Sequence, residues 1–145
     1  MFKHLLVPID GSPTSQSAVD KAIGLAKAFG STVTALFVVD PYPFSGVGTD
    51  FAYGQAQYFS AARTQANDAL AATQRAFEAA GVKATMSVVE AHAPWRGILD
   101  AAESGQADLI VIGSHGRSGI EKLVLGSVAQ RVVSHAKLPV LVVRG

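Results

Sequence analysis

The sequence predicts a single-domain, doubly wound α/β fold, and three observations carry that prediction. Apolar runs of strand length recur along the chain at Leu5–Ile9, Val33–Val39, Val82–Val89, Leu109–Ile112 and Val140–Val143. The segments between them carry helical spacing or are rich in good helix formers. The whole is 145 residues long, which suits one domain and buries roughly 68 to 70% of the surface exposed by the unfolded chain. Strands that alternate with helices are joined by right-handed crossovers, which gives a five-stranded parallel sheet with helices on both faces. No internal repeat, low-complexity tract or second domain breaks the pattern.

The elements follow in order. Strand one, Leu5–Ile9, runs into Asp10-Gly11-Ser12-Pro13, where Ser12 suits an N-cap and Pro13 the first helical position. Ala18, Ala22, Leu25, Ala26 and Phe29 form the apolar stripe of helix one, and Gly30 stops it. After strand two, residues 41 to 56 mix Pro41, Pro43, Gly46, Gly48 and Gly54 with four aromatics, which predicts a long functional loop, Pro41 to Gly54 above all. Helix two is then expected from about Gln57 to Ala80, closed by Gly81. Thr85, Val88 and Val89 supply the β-branched residues of strand three. Pro94 opens a shorter helix with Ile98, Leu99 and Ala102 on one face, ending at Gly105. Beyond strand four, Val128, Ala129, Val132, Val133 and Ala136 mark a last helix over 128–136, with Ser127 as its expected N-cap.

Composition removes whole classes of function. There are no cysteines, so thiol catalysis, CxxC redox chemistry, thiolate zinc sites and a disulfide scaffold are excluded. Twelve Lys and Arg stand against eleven Asp and Glu, a formal charge of +1, without the basic stripe that nucleic-acid binding requires. The opening residues lack the apolar length and cleavage site of a secretory signal, and no run nears the ~20 apolar residues of a membrane span. A cytoplasmic protein is expected. The four histidines, His4, His92, His115 and His135, lack metal-site spacing, and Trp95 is expected to pack.

One stretch carries chemistry. The apolar run Leu109-Ile110-Val111-Ile112 is followed by Gly113-Ser114-His115-Gly116-Arg117-Ser118-Gly119 and, with nine residues between it and Gly116, by Gly126-Ser127. Glycines after a buried strand allow the backbone to come close to a ligand. A helix starting at Gly126-Ser127 adds free amides and a positive dipole end at the same place. In a doubly wound sheet, ligands bind beyond the carboxyl ends of the strands, at the point where the strand order reverses. Asp10 at the end of strand one and Gly113 at the end of strand four would share that rim. Glycine amides, a hydroxyl at a helix start and one cation are what a triphosphate requires.

The Gly113, Gly116, Gly126-Ser127 spacing resembles the nucleotide-binding branch of the universal stress protein family. The likeness runs the length of the chain: Leu6-Val7-Pro8-Ile9-Asp10-Gly11-Ser12 and Leu138-Pro139-Val140-Leu141-Val142-Val143 look like that family's first and last strands. The resemblance implies strand order 3-2-1-4-5 and a bound ATP, or ADP or AMP, with magnesium. By the same carry-over, Pro8, Ile9 and Asp10 line the nucleoside side, with Asp10 near the ribose or a metal on the phosphates. Val38 meets the adenine through its backbone. Ile112, Gly113, Gly116, Arg117, Gly126, Ser127 and Val128 hold the ribose and phosphates, with Ser114 and His115 in the same loop. The family likeness further implies a homodimer joined through the edge strand Val140–Val143. The chain departs from the family in having Glu90-Ala91-His92-Ala93 before Pro94, where a glycine-containing turn is common.

Other classes fit poorly. A dinucleotide site would want GxGxxG after strand one, where this chain has Asp10-Gly11-Ser12-Pro13, and the P-loop string GxxxxGK[ST] does not occur. A response regulator would want an aspartate and a lysine after strands three and five, where Glu90 and Arg144 stand. A serine hydrolase would want GxSxG, and Gly113-Ser114-His115-Gly116 has the wrong spacing. The sequence therefore points to a regulatory ATP-binding protein of the stress response. The alternatives are a slow ATP hydrolase, for which no well-placed general base is evident, and a nucleotide-independent dimeric interaction module.

Overall fold

The computed structural model describes residues 1–40, 49–115 and 125–145, with backbone alone for 49–53 and 55. Five strands, β1 (His4–Pro8), β2 (Thr32–Val39), β3 (Ala84–Glu90), β4 (Leu109–Gly113) and β5 (Val140–Val143), form one parallel sheet in the order 3-2-1-4-5. Four helices connect them: α1 (Pro13–Phe29), α2 (Thr49–Ala79), α3 (Pro94–Ser104) and α4 (Ser127–His135).

Because successive strand residues face opposite sides, the continuous apolar runs feed two cores. Leu5, Val7, Val33, Ala35, Leu109 and Val111 pack with Ala18 and Ala22 of α1 and Leu70 and Phe77 of α2. Leu6, Leu36, Ile110 and Ile112 pack with Ile98 and Ala102 of α3 and Ala129 and Val132 of α4. Helix α1 begins as its sequence dictates. Ser12 takes an extended conformation, its hydroxyl accepts the Ser15 amide, Pro13 follows, and Gly30 ends the helix at φ 68°, where a side chain would be strained.

Three expectations need correction. Helix α2 starts at Thr49, so residues 49–56 are helical and not part of a loop. Extending an existing helix adds one hydrogen bond per residue, and a single internal Gly54 costs only about 1 kcal/mol. The remainder of the expected loop, residues 41–48, lies outside the described residues. Phe29, assigned to the buried stripe, is 44% exposed and meets Phe2 edge-on at 5.6 Å. It is the last residue of α1, where the helix passes the end of the sheet. Strand β3 starts at Ala84 and not at Val82, whose amide instead bonds Phe77 and closes the α2 exit through Gly81 at φ 73°.

Two contacts fix the strands that frame the cleft described below. The Asp108 carboxylate accepts the Lys3 amide at 2.8 Å and the His4 amide at 3.0 Å, tying the start of β1 to the start of β4. Gly113, at the end of β4, lies against Thr14 in the first turn of α1: a Cβ there would stand 2.9 Å from the Thr14 carbonyl carbon and oxygen. Space, rather than backbone torsion, demands glycine at this position.

Each contact yields a prediction. Burial opposes ionisation of Asp108, but the amide bonds from Lys3 and His4 outweigh it and hold the carboxyl below its ordinary 3.8. A lowered folded-state value means stabilisation that is present above the ordinary value and lost as pH falls through the lowered one. Asp108→Asn should therefore reduce Tm by a few degrees at pH 7, and the difference should close in acid. A constant difference down to pH 2 would exclude the carboxylate as the cause. Gly113→Ala overpacks the seat of α1 and should cost about 1–3 kcal/mol in urea denaturation; an unchanged midpoint would show that the seat yields freely.

Candidate functional site

A cavity of about 300 Å³ opens beyond the carboxyl ends of β1 and β4. Here β1 has β2 on one side and β4 on the other, so the connections leave in opposite directions and a crevice forms between them. Pro8, Ile9 and Asp10 line it from β1, Val38 from β2, Ile112, Gly113, Ser114 and His115 from β4 and its exit, and Gly126, Ser127 and Val128 from the start of α4. These eleven positions, scattered over the sequence, converge on one cleft. Gly116 and Arg117 lie outside the described residues.

The polar end is built by backbone. Gly11 at φ 83° lets the chain turn sharply after β1, and the Ser12 amide donates to Asp10 Oδ1 at 2.9 Å, which braces the turn. Ser114 is wholly buried and bonds in three directions. Its amide donates to the Val143 carbonyl at 2.8 Å, its carbonyl accepts the Gly126 amide at 2.6 Å, and its hydroxyl meets His115 Nδ1 at 2.9 Å. The Thr14 hydroxyl donates to the His115 carbonyl. The exit of β4 is thereby fastened to β5, to α4 and to α1.

The start of α4 differs from expectation. Gly126, not Ser127, is the N-cap, at φ −69° and ψ 160°, and Ser127 is the first helical residue, with no side-chain cap bond. Gly126 occupies the cap because a Cβ there would stand 2.9 Å from the Ser114 carbonyl oxygen. Gly113 and Gly126 thus both pack against protein backbone while also lining the cavity. The Gly126 amide is committed to Ser114, and the first intrahelical bond runs from the Gln130 amide to the Gly126 carbonyl at 2.9 Å. The amides of Ser127, Val128 and Ala129 are then the ones at this helix end without a partner inside the helix. No acidic residue stands in that first turn, so the positive end of the helix faces the cavity unneutralised by its own turn.

The other end is apolar. Leu36 and Val38 of β2 and Pro94 and Ile98 of α3 form its walls, with Ile9 and Ile112 nearer the polar end. Sequence reasoning missed Leu36, Pro94, Ile98, Ser15 and Ala129. Leu36 was available in principle, since it lies two residues before Val38 and shares its sheet face. Thr14 was also missed, and only its place in the hydroxyl-rich run Ser12 to Ser15 hinted at it. Trp95 does not line the cavity. Its ring lies 4.5 Å from that of His135, and the Arg96 and Arg131 guanidiniums sit 5.0 and 5.8 Å from its centroid. Both ring nitrogens of His4 meet hydroxyls, of Thr32 at 2.7 Å and Thr34 at 2.8 Å. Among the described residues no three or more His, Asp or Glu side chains gather as a metal cage, and no helix is long and apolar enough to cross a membrane.

Such a cleft accommodates a ligand with one flat apolar part and one anionic part. Comparison with known proteins gives the chain its relatives. It is 38% identical over 145 residues to a universal stress protein of Methanocaldococcus jannaschii, covering 99% of this chain and 83% of that protein. The universal stress protein UspA of Lactobacillus plantarum has the same fold, with a TM-score of 0.88 at 27% identity over 99% of this chain and 98% of that one. A universal stress protein solved in complex with cAMP superposes with a TM-score of 0.73 at 26% identity, over 99% and 97% of the two chains. Residues 1–144 match the universal stress protein family, and the chain belongs to that family.

Proposed function

We propose that this protein binds ATP, or another adenine nucleotide, in the cleft between β1 and β4, and that occupancy regulates its part in a cytoplasmic stress response. One observation carries the reading: the first turn of α4 and the apolar walls of Leu36, Val38, Pro94 and Ile98 line one cavity. The residues fit the group. Adenine suits the apolar end, where the backbone of β2 at Val38 supplies hydrogen-bonding edges, and the ribose lies by Pro8, Ile9 and Asp10. Phosphates suit the amides of Ser127, Val128 and Ala129 and the Ser127 hydroxyl, with Gly116 and Arg117 assigned from sequence alone. Asp10 is the residue we assign toward magnesium carried by the phosphates. The cAMP complex of a relative shows that this fold accepts an adenine nucleotide in that protein.

The role is binding rather than hydrolysis. Asp10 Oδ1 braces its own turn and His115 Nδ1 meets Ser114, so both candidate bases serve first to hold the site's shape. The protein also pairs with a second copy through β5, which ends the sheet and carries Leu141, 39% exposed, in its four residues.

Calorimetric titration of ATP tests the site. Ser127→Asp places a carboxylate where the phosphates would sit, yet an acid there suits a helix start, so affinity should fall at least tenfold while Tm holds or rises. An unaltered affinity would move the phosphates elsewhere, and a wild type that binds no adenine nucleotide would leave the interaction-module reading. Light scattering at micromolar concentration should give a dimer, and Leu141→Lys a monomer. A monomeric wild type would remove the β5 pairing.

A further inference from the structure

We infer that Gly97 is a positioning residue that sets the width of the base slot, an inference that rests on the nucleotide site proposed above. Gly97 is buried in the first turn of α3 and does not itself line the cavity, while its helix neighbours Pro94 and Ile98 do. A Cβ on Gly97 would stand 3.1 Å from the Ala91 Cβ, 3.3 Å from Val38 Cγ1 and 3.4 Å from Val38 Cγ2. The missing side chain is what lets α3 lie this close to the end of β2.

The two neighbours are held more firmly than the helix. Val38 sits in β2, in register with Val89 of β3, and the Ala91 amide donates to the Val39 carbonyl at 3.0 Å. The first turn of α3 meets the sheet through side chains, and its amides at Arg96 and Gly97 bond within the turn, to the Ala93 carbonyl. A methyl group added at position 97 therefore displaces the helix rather than the sheet. Pro94 and Ile98 move with it, away from Leu36 and Val38, and the slot widens by a few tenths of an ångström. Dispersion falls steeply with such gaps, and a flat base held between two apolar walls loses contact on one side.

The stability of the free protein should move the other way or not at all. Position 97 is helical, and alanine there gains intrinsic helix propensity that offsets the tight contact. A purely structural glycine would show stability and binding falling together.

The test is calorimetric titration of ATP into wild type, Gly97→Ala, Ala91→Gly and the double variant, with Tm of each free protein. We expect roughly three- to tenfold weaker binding in Gly97→Ala, no loss of Tm, and recovery of most of the affinity in the double variant, because Ala91 supplies the closest contact and does not line the cavity. Wild-type affinity in Gly97→Ala, a parallel fall of Tm and affinity, or no recovery in the double variant would each overturn the assignment of Gly97 while leaving the nucleotide site standing. If the wild type binds no adenine nucleotide, the proposed site falls and this inference with it.

Discussion

The seat of α1 on the end of β4 is the contact on which the cleft depends. Thr14 lies in the first turn of the helix, its backbone against Gly113 and its hydroxyl on the His115 carbonyl. The same turn is capped by Ser12, and the Ser12 amide is held by Asp10. The ends of β1 and β4 are thereby locked to one helix terminus rather than only to each other through sheet hydrogen bonds. Interiors are packed too densely for such a seat to shift gradually. The distance across the cleft follows from where α1 begins, and α1 begins where Ser12 and Pro13 oblige it to.

The cleft divides its labour between two kinds of physics. Its apolar end rests on side chains, Leu36 and Val38 from one layer and Pro94 and Ile98 from another, so its dimensions depend on how closely a helix approaches a sheet. Its polar end rests on backbone, with amides at the start of α4 oriented by a helix whose cap, Gly126, is bonded to Ser114. Among the described lining residues there is no Lys or Arg, so this end presents backbone dipoles and hydroxyls rather than a cationic side chain.

The parts of the molecule governed by local rules were legible in the sequence. The apolar runs marked all five strands to within two residues, and Ser12-Pro13 and Gly30 marked both ends of α1. The strand order came with the family resemblance, and eleven of the assigned site residues meet in one cavity. What resisted reading was contact between distant segments. Nothing in the neighbourhood of Gly113 says that Thr14, ninety-nine positions earlier, will lie against it. Likewise Gly126 and Ser127 are both acceptable caps locally, and the Ser114 carbonyl, through its bond and its closeness, decides for Gly126. The start of α2 was misplaced for a different reason, since glycine and aromatic residues argue for a loop one by one while helix cooperativity acts on the whole segment.

Ser114 links the cleft to the edge of the sheet. Its amide is held by Val143, the last residue of β5, and its carbonyl by the cap of α4, so one buried residue joins the strand that ends the sheet to the helix that opens on the cavity. Both bonds are short, at 2.8 and 2.6 Å, and both are shielded from water, where losing either leaves a buried polar group unsatisfied. The start of α4 and the carboxyl end of β5 are thus joined through the backbone of one buried residue.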